Sequence, residues 1–157
     1  MARILLGIHT PFQVNFFEGL IDRLSSSHEF LFAARNRDAT IAMLRQKGLD
    51  FVDVGGYSGS DLGEKLREYA EGVQRVGETI KTFKPDLVLT ERYPSAVRAA
   101  HIMQVPCWTV FNDEREYHVN HLTHPFAEHV FVPSFYSKRE LYRGGVMDPE
   151  KIVWFNG

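Results

Sequence analysis

Short apolar runs alternate with segments of helical periodicity along the first half of this chain, and only a few residues separate one from the next. Arg3 to Ile8 (RILLGI) is too short for a helix and rich in Ile and Leu, which reads as a buried parallel strand. His9-Thr10-Pro11 breaks it. Val14, Phe17, Leu20, Ile21 and Leu24 then recur at helical spacing, and Ser25-Ser26-Ser27 ends that helix. Glu29 to Ala34 reads as a second strand. Asp38 is placed to cap a helix over Ala39 to Lys47, with Gly48 closing it at the C′ position. Asp50 to Val54 is a third strand. Strand, helix, strand, helix, strand with short connections predicts right-handed crossovers and a parallel sheet.

The pattern continues. A glycine- and serine-rich loop, Gly55 to Ser60, leads into the longest helix, where Asp61 followed by Glu64 fits a capping box. Leu62, Leu66, Tyr69, Val73, Val76, Ile80 and Phe83 step by four and three along one face, a stripe expected to pack on the sheet. The opposite face mixes acids and bases and reads as solvated. The run is too short, and its flanks too α/β in character, for a coiled coil. Pro85-Asp86 stops this helix, and Leu87 to Thr90 is a fourth strand. Pro94 suits the first turn of a helix running to about Met103. A fifth strand, Cys107 to Phe111, ends abruptly on Asn112-Asp113-Glu114-Arg115-Glu116. A short helical stretch precedes a sixth strand at His129 to Val132. Ser134 to Tyr142 reads as a short helix and Ile152 to Phe155 as a last strand.

The expected fold is therefore α/β: a three-layer, Rossmann-like, doubly wound parallel sheet of order near 3-2-1-4-5-6, forming a single domain over residues 1–157. The length suits one domain, and the 44% hydrophobic and 24% charged content is ordinary for a globular protein. A net charge of -2 argues against a nucleic-acid surface, which wants a basic face. No apolar run approaches the length of a membrane span and no signal-peptide pattern opens the chain, so cytoplasmic residence is the default expectation. The single cysteine, Cys107, falls inside an apolar strand and reads as a small buried hydrophobe.

In a sheet of this order the crevice opens beyond the carboxyl ends of the first and fourth strands, where the order reverses. That rule selects three loops: His9 to Gln13, Glu91 to Ser95 and Asn112 to Glu116. They bring together an imidazole, carboxylates, an arginine, hydroxyls and amides. Such a set suits a polyhydroxylated ligand held by hydrogen bonds, with one imidazole or carboxylate free to act as a base. Asp113, His9 and Glu91 are the candidate catalytic groups; Thr10, Gln13, Arg92, Ser95, Asn112, Glu114 and Ser134 are the candidate substrate-binding groups. Each has a plainer reading: His9 as a cap or plug at the strand end, Asp113 and Glu114 as solvated turn residues, Glu91 and Arg92 as a pair on the surface.

The loop after the first strand contains no glycine, so the dinucleotide fingerprint is missing, and there is no Walker sequence. No serine-nucleophile elbow occurs. His118, His121 and His124 step by three, but the spacing and the lack of cysteine company do not fit a zinc site, and no metal is expected.

The segment FNDEREYHVNHLTHPFAEHVFVPS, preceded by KPDLVLT and YPSAVRAAHIMQVPCWTVF and, at the front, by IHTPFQVNFFEGLIDRL, resembles the domain of unknown function family three-five-four. Members of that family look like GT-B glycosyltransferases and UDP-N-acetylglucosamine 2-epimerases. The most specific parts are Phe111-Asn112-Asp113 and the run Asn120, Leu122-Thr123, Pro125, Ala127, Val130 and Pro133. The resemblance implies that residues 1–157 correspond to the N-terminal, acceptor-side half of a GT-B fold, with the C-terminal nucleotide-sugar domain outside this chain. It implies an acceptor that is a sugar-containing small molecule, a glycan or a lipid, and no cofactor beyond a nucleotide-sugar donor bound once a second domain is present. The chain alone is then expected to be inactive, and its partner to be a C-terminal half, a separate subunit or a second copy. The competing expectation is a non-catalytic binding or scaffold subunit that completes a site with a separate chain. A small independent enzyme acting on another nucleotide is a third, disfavoured by the missing glycine fingerprint.

Overall fold

The computed structural model describes residues 1–56, 59 and 61–156. Seven strands form one sheet, every neighbouring pair parallel. They are β1 (Arg3–Ile8), β2 (Glu29–Asn36), β3 (Phe51–Gly56), β4 (Leu87–Thr90), β5 (Cys107–Val110), β6 (His129–Pro133) and β7 (Ile152–Phe155), in the order β3-β2-β1-β4-β5-β6-β7. The expected order is found, with the last strand added beyond β6.

The helices are α1 (Pro11–Leu24), α2 (Thr40–Gln46), α3 (Leu62–Phe83), α4 (Pro94–Ile102), α5 (Tyr117–Thr123) and α6 (Lys138–Arg143). Side chains alternate across a strand, so each strand feeds both faces of the sheet. Ile4, Leu6 and Ile8 of β1 join Phe32 of β2 and pack with Val14, Phe17 and Ile21 of α1 and Ile41 and Leu44 of α2. Leu5 and Ala33 point the other way and meet Val76, Ile80 and Phe83 of α3 and Val97 and Ala100 of α4. A third cluster gathers Phe111, Val130, Val132, Leu141 and Val146 on the β5–β7 side. Cys107 is buried, and burial first, then the nearby Glu128 carboxylate, pushes its thiol up to about 12. It behaves as a hydrophobe.

Gly7 in β1 permits a close contact between the sheet and α4. A Cβ there would lie 2.5 Å from the Cβ of Ala96 in α4. Beside it, the Thr90 hydroxyl donates to the Gly7 carbonyl (2.7 Å) and accepts from the N–H of Tyr93 (3.2 Å).

Three expectations need correction. Asp38 does not cap α2: it sits in the left-handed region (φ 50), Ala39 occupies the cap position and no side-chain hydrogen bond is made. Gly48 at φ 65 does close the helix. The apolar stripe of α3 does not pack on the sheet along its whole length. Leu62 and Leu66, in the first turns of α3, are 79% and 69% exposed, whereas Val76, Ile80 and Phe83, further along, are buried. The short helix placed at Ser134 to Tyr142 begins at Lys138, where Ser137 and Glu140 form a capping box; Ser134 lies in the turn before it.

Candidate functional site

The first two loops are joined by one buried side chain. Pro11 fills the first helical position of α1, where its missing N–H costs nothing. Gln13, one turn in, is fully buried. Its Oε1 accepts from the backbone N–H of His9 (2.6 Å) and Thr10 (3.1 Å). Its Nε2 donates to both the backbone oxygen and Oε2 of Glu91, each at 2.5 Å. The same amide nitrogen is 3.3 Å from His9 Nδ1. Since Oε1 faces two donors, Nε2 is the donor side of the amide, and its two hydrogens serve the two Glu91 oxygens.

Glu91 is 3% exposed and its other carboxylate oxygen accepts from Arg92 Nε at 2.8 Å. Glu91 and Arg92 do pair, but inside the protein and not on its surface, and the pair leaves Arg92 Nη1 without a partner among the described residues. Arg92 has a left-handed backbone (φ 51) and its N–H reaches Thr109 Oγ1 on β5 (3.3 Å).

The third loop is held from two sides. The Tyr136 hydroxyl donates to the Asn112 carbonyl (2.7 Å), and Asn120 Nδ2 donates to the Asp113 carbonyl (2.8 Å). Asp113 Oδ1 accepts from the backbone N–H of Arg115 (3.0 Å) and from its Nε (3.2 Å). These two bonds, the backbone one first, hold the Asp113 carboxyl below its ordinary range. Glu114 neighbours Tyr136, whose hydroxyl is shifted upward chiefly by burial.

A cavity of about 460 Å³ lies beyond the carboxyl ends of β1 to β5, against α3. This is a size suited to a small molecule. His9, Arg92, Ser95 and Asp113 line it together, as the topology rule expects. Gln13, Glu91 and Asn112 are not part of its wall; Gln13 and Glu91 stand behind it and fix His9 and Arg92. Thr10, Glu114 and Ser134 do not line it either. Thr10 flanks α1, Glu114 is near Tyr136, and the Ser134 hydroxyl donates to Asn156 Oδ1 at 3.4 Å.

The sequence reading missed a whole side of the cavity. Arg35 and Arg37 come from the end of β2, Lys65, Glu68, Tyr69 and Arg75 from α3, and Tyr93 from the turn before α4. Arg35 pairs with Glu68, and Glu71 stands 3.8 Å from Arg75. The signal was present: 65, 68, 69, 72 and 75 share one helical face, and Arg35-Asn36-Arg37 ends a strand. The glycine-rich loop opens with Gly55 and Gly56, which line the cavity; Tyr57, Ser58 and Ser60 lie outside the described residues.

His9 packs against Tyr93 with ring centroids 5.3 Å apart. Burial, then the charges of Arg35, Arg92 and Arg37, lower its pKa to about 3. It is a neutral hydrogen-bonding imidazole at pH 7. The other histidines diverge: His121 Nε2 donates to the Arg143 carbonyl (2.8 Å), and fully buried His124 donates from Nδ1 to the Gly144 carbonyl (3.2 Å). Among the described residues no group of three or more His, Cys, Asp or Glu side chains is placed to hold a metal ion. None of the described helices is long and apolar enough to cross a membrane.

Residues 3–157 match the family described as protein of unknown function (DUF354). The chain belongs to that family. Comparison with curated proteins gives no match. Among solved structures, the DUF354 chain is similar to the UDP-GlcNAc 2-epimerase of Methanocaldococcus jannaschii in complex with UDP-GlcNAc and UDP. The identity is 15%, covering 97% of this chain and 46% of that one, at a TM-score of 0.75. It is also similar to MurG of Acinetobacter baumannii (10% identity, 99% and 45% covered, TM-score 0.69). A third similar structure is a Streptomyces glycosyltransferase (17% identity, 84% and 50% covered, TM-score 0.61). At these identities the likeness is one of fold. The DUF354 chain spans about half the length of the structures it matches, so it resembles half of a GT-B glycosyltransferase or epimerase.

Proposed function

We propose that this chain supplies the acceptor-side half of a GT-B-like glycosyltransferase or sugar-nucleotide epimerase, and that its strand-end cavity is one wall of a cleft closed by a second domain or a partner chain. The observation that carries the reading is the position of the cavity. It opens at the reversal of strand order, where an imidazole, a carboxylate and a guanidinium from three different loops meet. The fold likeness to half of a UDP-GlcNAc 2-epimerase and half of a glycosyltransferase supports it. In this reading Asp113, ionised at neutral pH, is the proton-accepting or hydroxyl-binding carboxylate. His9 is a neutral hydrogen-bonding group for a sugar hydroxyl, with Ser95 and Arg92 as further ligand contacts. Glu91 and Gln13 position His9 and Arg92.

Assay of the protein with a nucleotide sugar tests this. The expected result is negligible turnover by the 157-residue chain and turnover once a second domain or subunit completes the cleft. An ordinary enzymatic rate from the chain alone would overturn the half-enzyme reading. The intact mass in its own cell, 18.1 kDa against roughly twice that, tells which kind of completion applies.

A second reading, a non-catalytic scaffold subunit, is favoured by one observation. Phe135, Met147 and Trp154, in or near the last strand and its flanking loops, are 74%, 73% and 43% exposed. Large apolar side chains of this kind suit a face that another protein surface covers. A complex that forms through these residues and shows no turnover supports the scaffold reading over the enzymatic one.

A further inference from the structure

Cations reach the strand-end cavity from three separate parts of the fold: Arg35 and Arg37 from the end of β2, Lys65 and Arg75 from α3, and Arg92 from the turn after β4. Acids line it too, but most are engaged. Glu68 pairs with Arg35, Glu71 approaches Arg75, and Asp113 is bonded by Arg115, which is not part of the lining; Glu116 is the fourth lining acid, and Arg37 pairs with Asp38, outside the lining, at 3.3 Å.

Arg92 is the most telling of these. Its Nε is committed to Glu91, while its Nη1 is buried and has no hydrogen-bond partner among the described residues. A buried guanidinium N–H without an acceptor is costly, and such a group asks for an explanation. The residue also holds a left-handed backbone that side chains other than glycine rarely adopt, a conformation that concentrates at binding sites. Nearby, Gly55 has φ 115, and a Cβ there would stand 2.8 Å from Arg75 Nη1, so the Arg75 guanidinium lies against bare backbone. After burial, the charges of Arg35, Arg92 and Arg37 are what disfavour protonation of His9, so three of these guanidinium groups act on the same imidazole.

We infer that the cavity takes its ligand by an oxyanion, a phosphate or a carboxylate carried on a sugar-sized molecule, which the Arg92 guanidinium receives while Arg37 and Arg75 supply further charge. The planar donor fork of arginine matches both kinds of oxyanion. This deepens the proposed function and rests on its assignment of the cavity as the ligand site. It adds a substrate class: an acidic sugar or sugar phosphate in preference to a neutral sugar.

The test titrates the protein with glucose 1-phosphate, glucuronate and glucose while following the backbone amide resonances of His9, Tyr93 and Asp113. The expected result is that at least one of the two acidic sugars shifts these resonances and binds about tenfold tighter than glucose, and that added salt weakens it. Which acid binds tells phosphate from carboxylate. R92Q removes the central donor but also strands Glu91. A second variant, R37Q/R75Q, avoids that problem, because these side chains are 38% and 48% exposed; it should fold and show a weakened preference. Should glucose bind as well as both acids, or the double variant keep its full preference, the oxyanion inference falls and the cavity assignment stands. Should none of the three sugars shift these resonances, both fall.

Discussion

Gln13 Nε2 stands 2.5 Å from both the backbone oxygen and the side-chain Oε2 of Glu91, linking two strand ends 78 positions apart in the sequence. One buried amide thereby satisfies a carboxylate on one side and two backbone N–H groups, those of His9 and Thr10, on the other. Gln13→Leu keeps the volume and removes every one of these bonds. A loss of about 2–3 kcal/mol follows from stranding buried polar groups, and denaturant unfolding measures it. His9 and Arg92 should lose their fixed positions as well, so ligand binding is expected to fall by more than the stability change explains.

Acid should unfold this protein through its histidines. His9 and His124 are both lowered to about 3, in each case first by burial. A histidine held neutral in the fold gains its proton on unfolding. The stability it contributes is therefore complete above its unfolded value of 6.5 and is lost as the pH falls from 6.5 toward 3. Each group adds a slope of about 1.4 kcal/mol per pH unit inside that window. Denaturation curves collected across the window should show the loss, and His124→Phe, if it folds, should flatten it. A stability independent of pH in that range would contradict the burial of both rings.

The two ends of α3 should answer substitution differently. Ile80 is 4% exposed and packs under β1 and β4, so Ile80→Ala should cost about 2–4 kcal/mol. Leu66 is 69% exposed, and Leu66→Ser should change stability by less than about 0.5 kcal/mol. Thermal or chemical melting of the two variants checks the contrast. A large loss at Leu66 would mean that some other surface covers that end of the helix.

Gly7→Ala places a methyl group 2.5 Å from the Ala96 Cβ, so α4 must move off the sheet. Overpacking of this kind costs about 1–3 kcal/mol. The double variant G7A/A96G restores the space and should recover part of that loss, a coupling that a double-mutant cycle reads directly. Since Ser95 and Tyr93 ride on the start of α4, the single variant should also weaken ligand binding in the cavity.

The strands and their order were legible because a parallel strand buried on both faces must be a short apolar run, and Arg3–Ile8, Leu87–Thr90 and Cys107–Val110 are such runs. The order then pointed to the loops holding His9, Arg92, Ser95 and Asp113 without reference to any contact. What it hid was the far wall. Lys65, Glu68 and Arg75 look like a solvated helix face until the sheet places α3 beside the end of β2. Leu62 and Leu66 carry the spacing of a buried stripe, but periodicity does not say how much of a helix the sheet will cover, and these two stay exposed. Glu91 was read as an active carboxylate or a surface ion pair; which of its neighbours would surround it depended on Gln13, a residue whose spacing says nothing about how far its amide reaches.

The placement of β1 between β2 and β4 also governs how the chain is assembled as it is made. The Thr90 hydroxyl that closes on Gly7 lies 83 positions further along, so the first strand to be synthesised must wait for the fourth before its second edge is covered. Until then a hairpin-free, apolar strand waits with only β2 beside it, and the long loop that must close makes this a slow step. Chaperone dependence or aggregation during synthesis should therefore concentrate in the interval before Leu87 to Thr90 has emerged, and that interval ends just before Arg92, Ser95 and Asp113, among the last contributors to the cavity, appear.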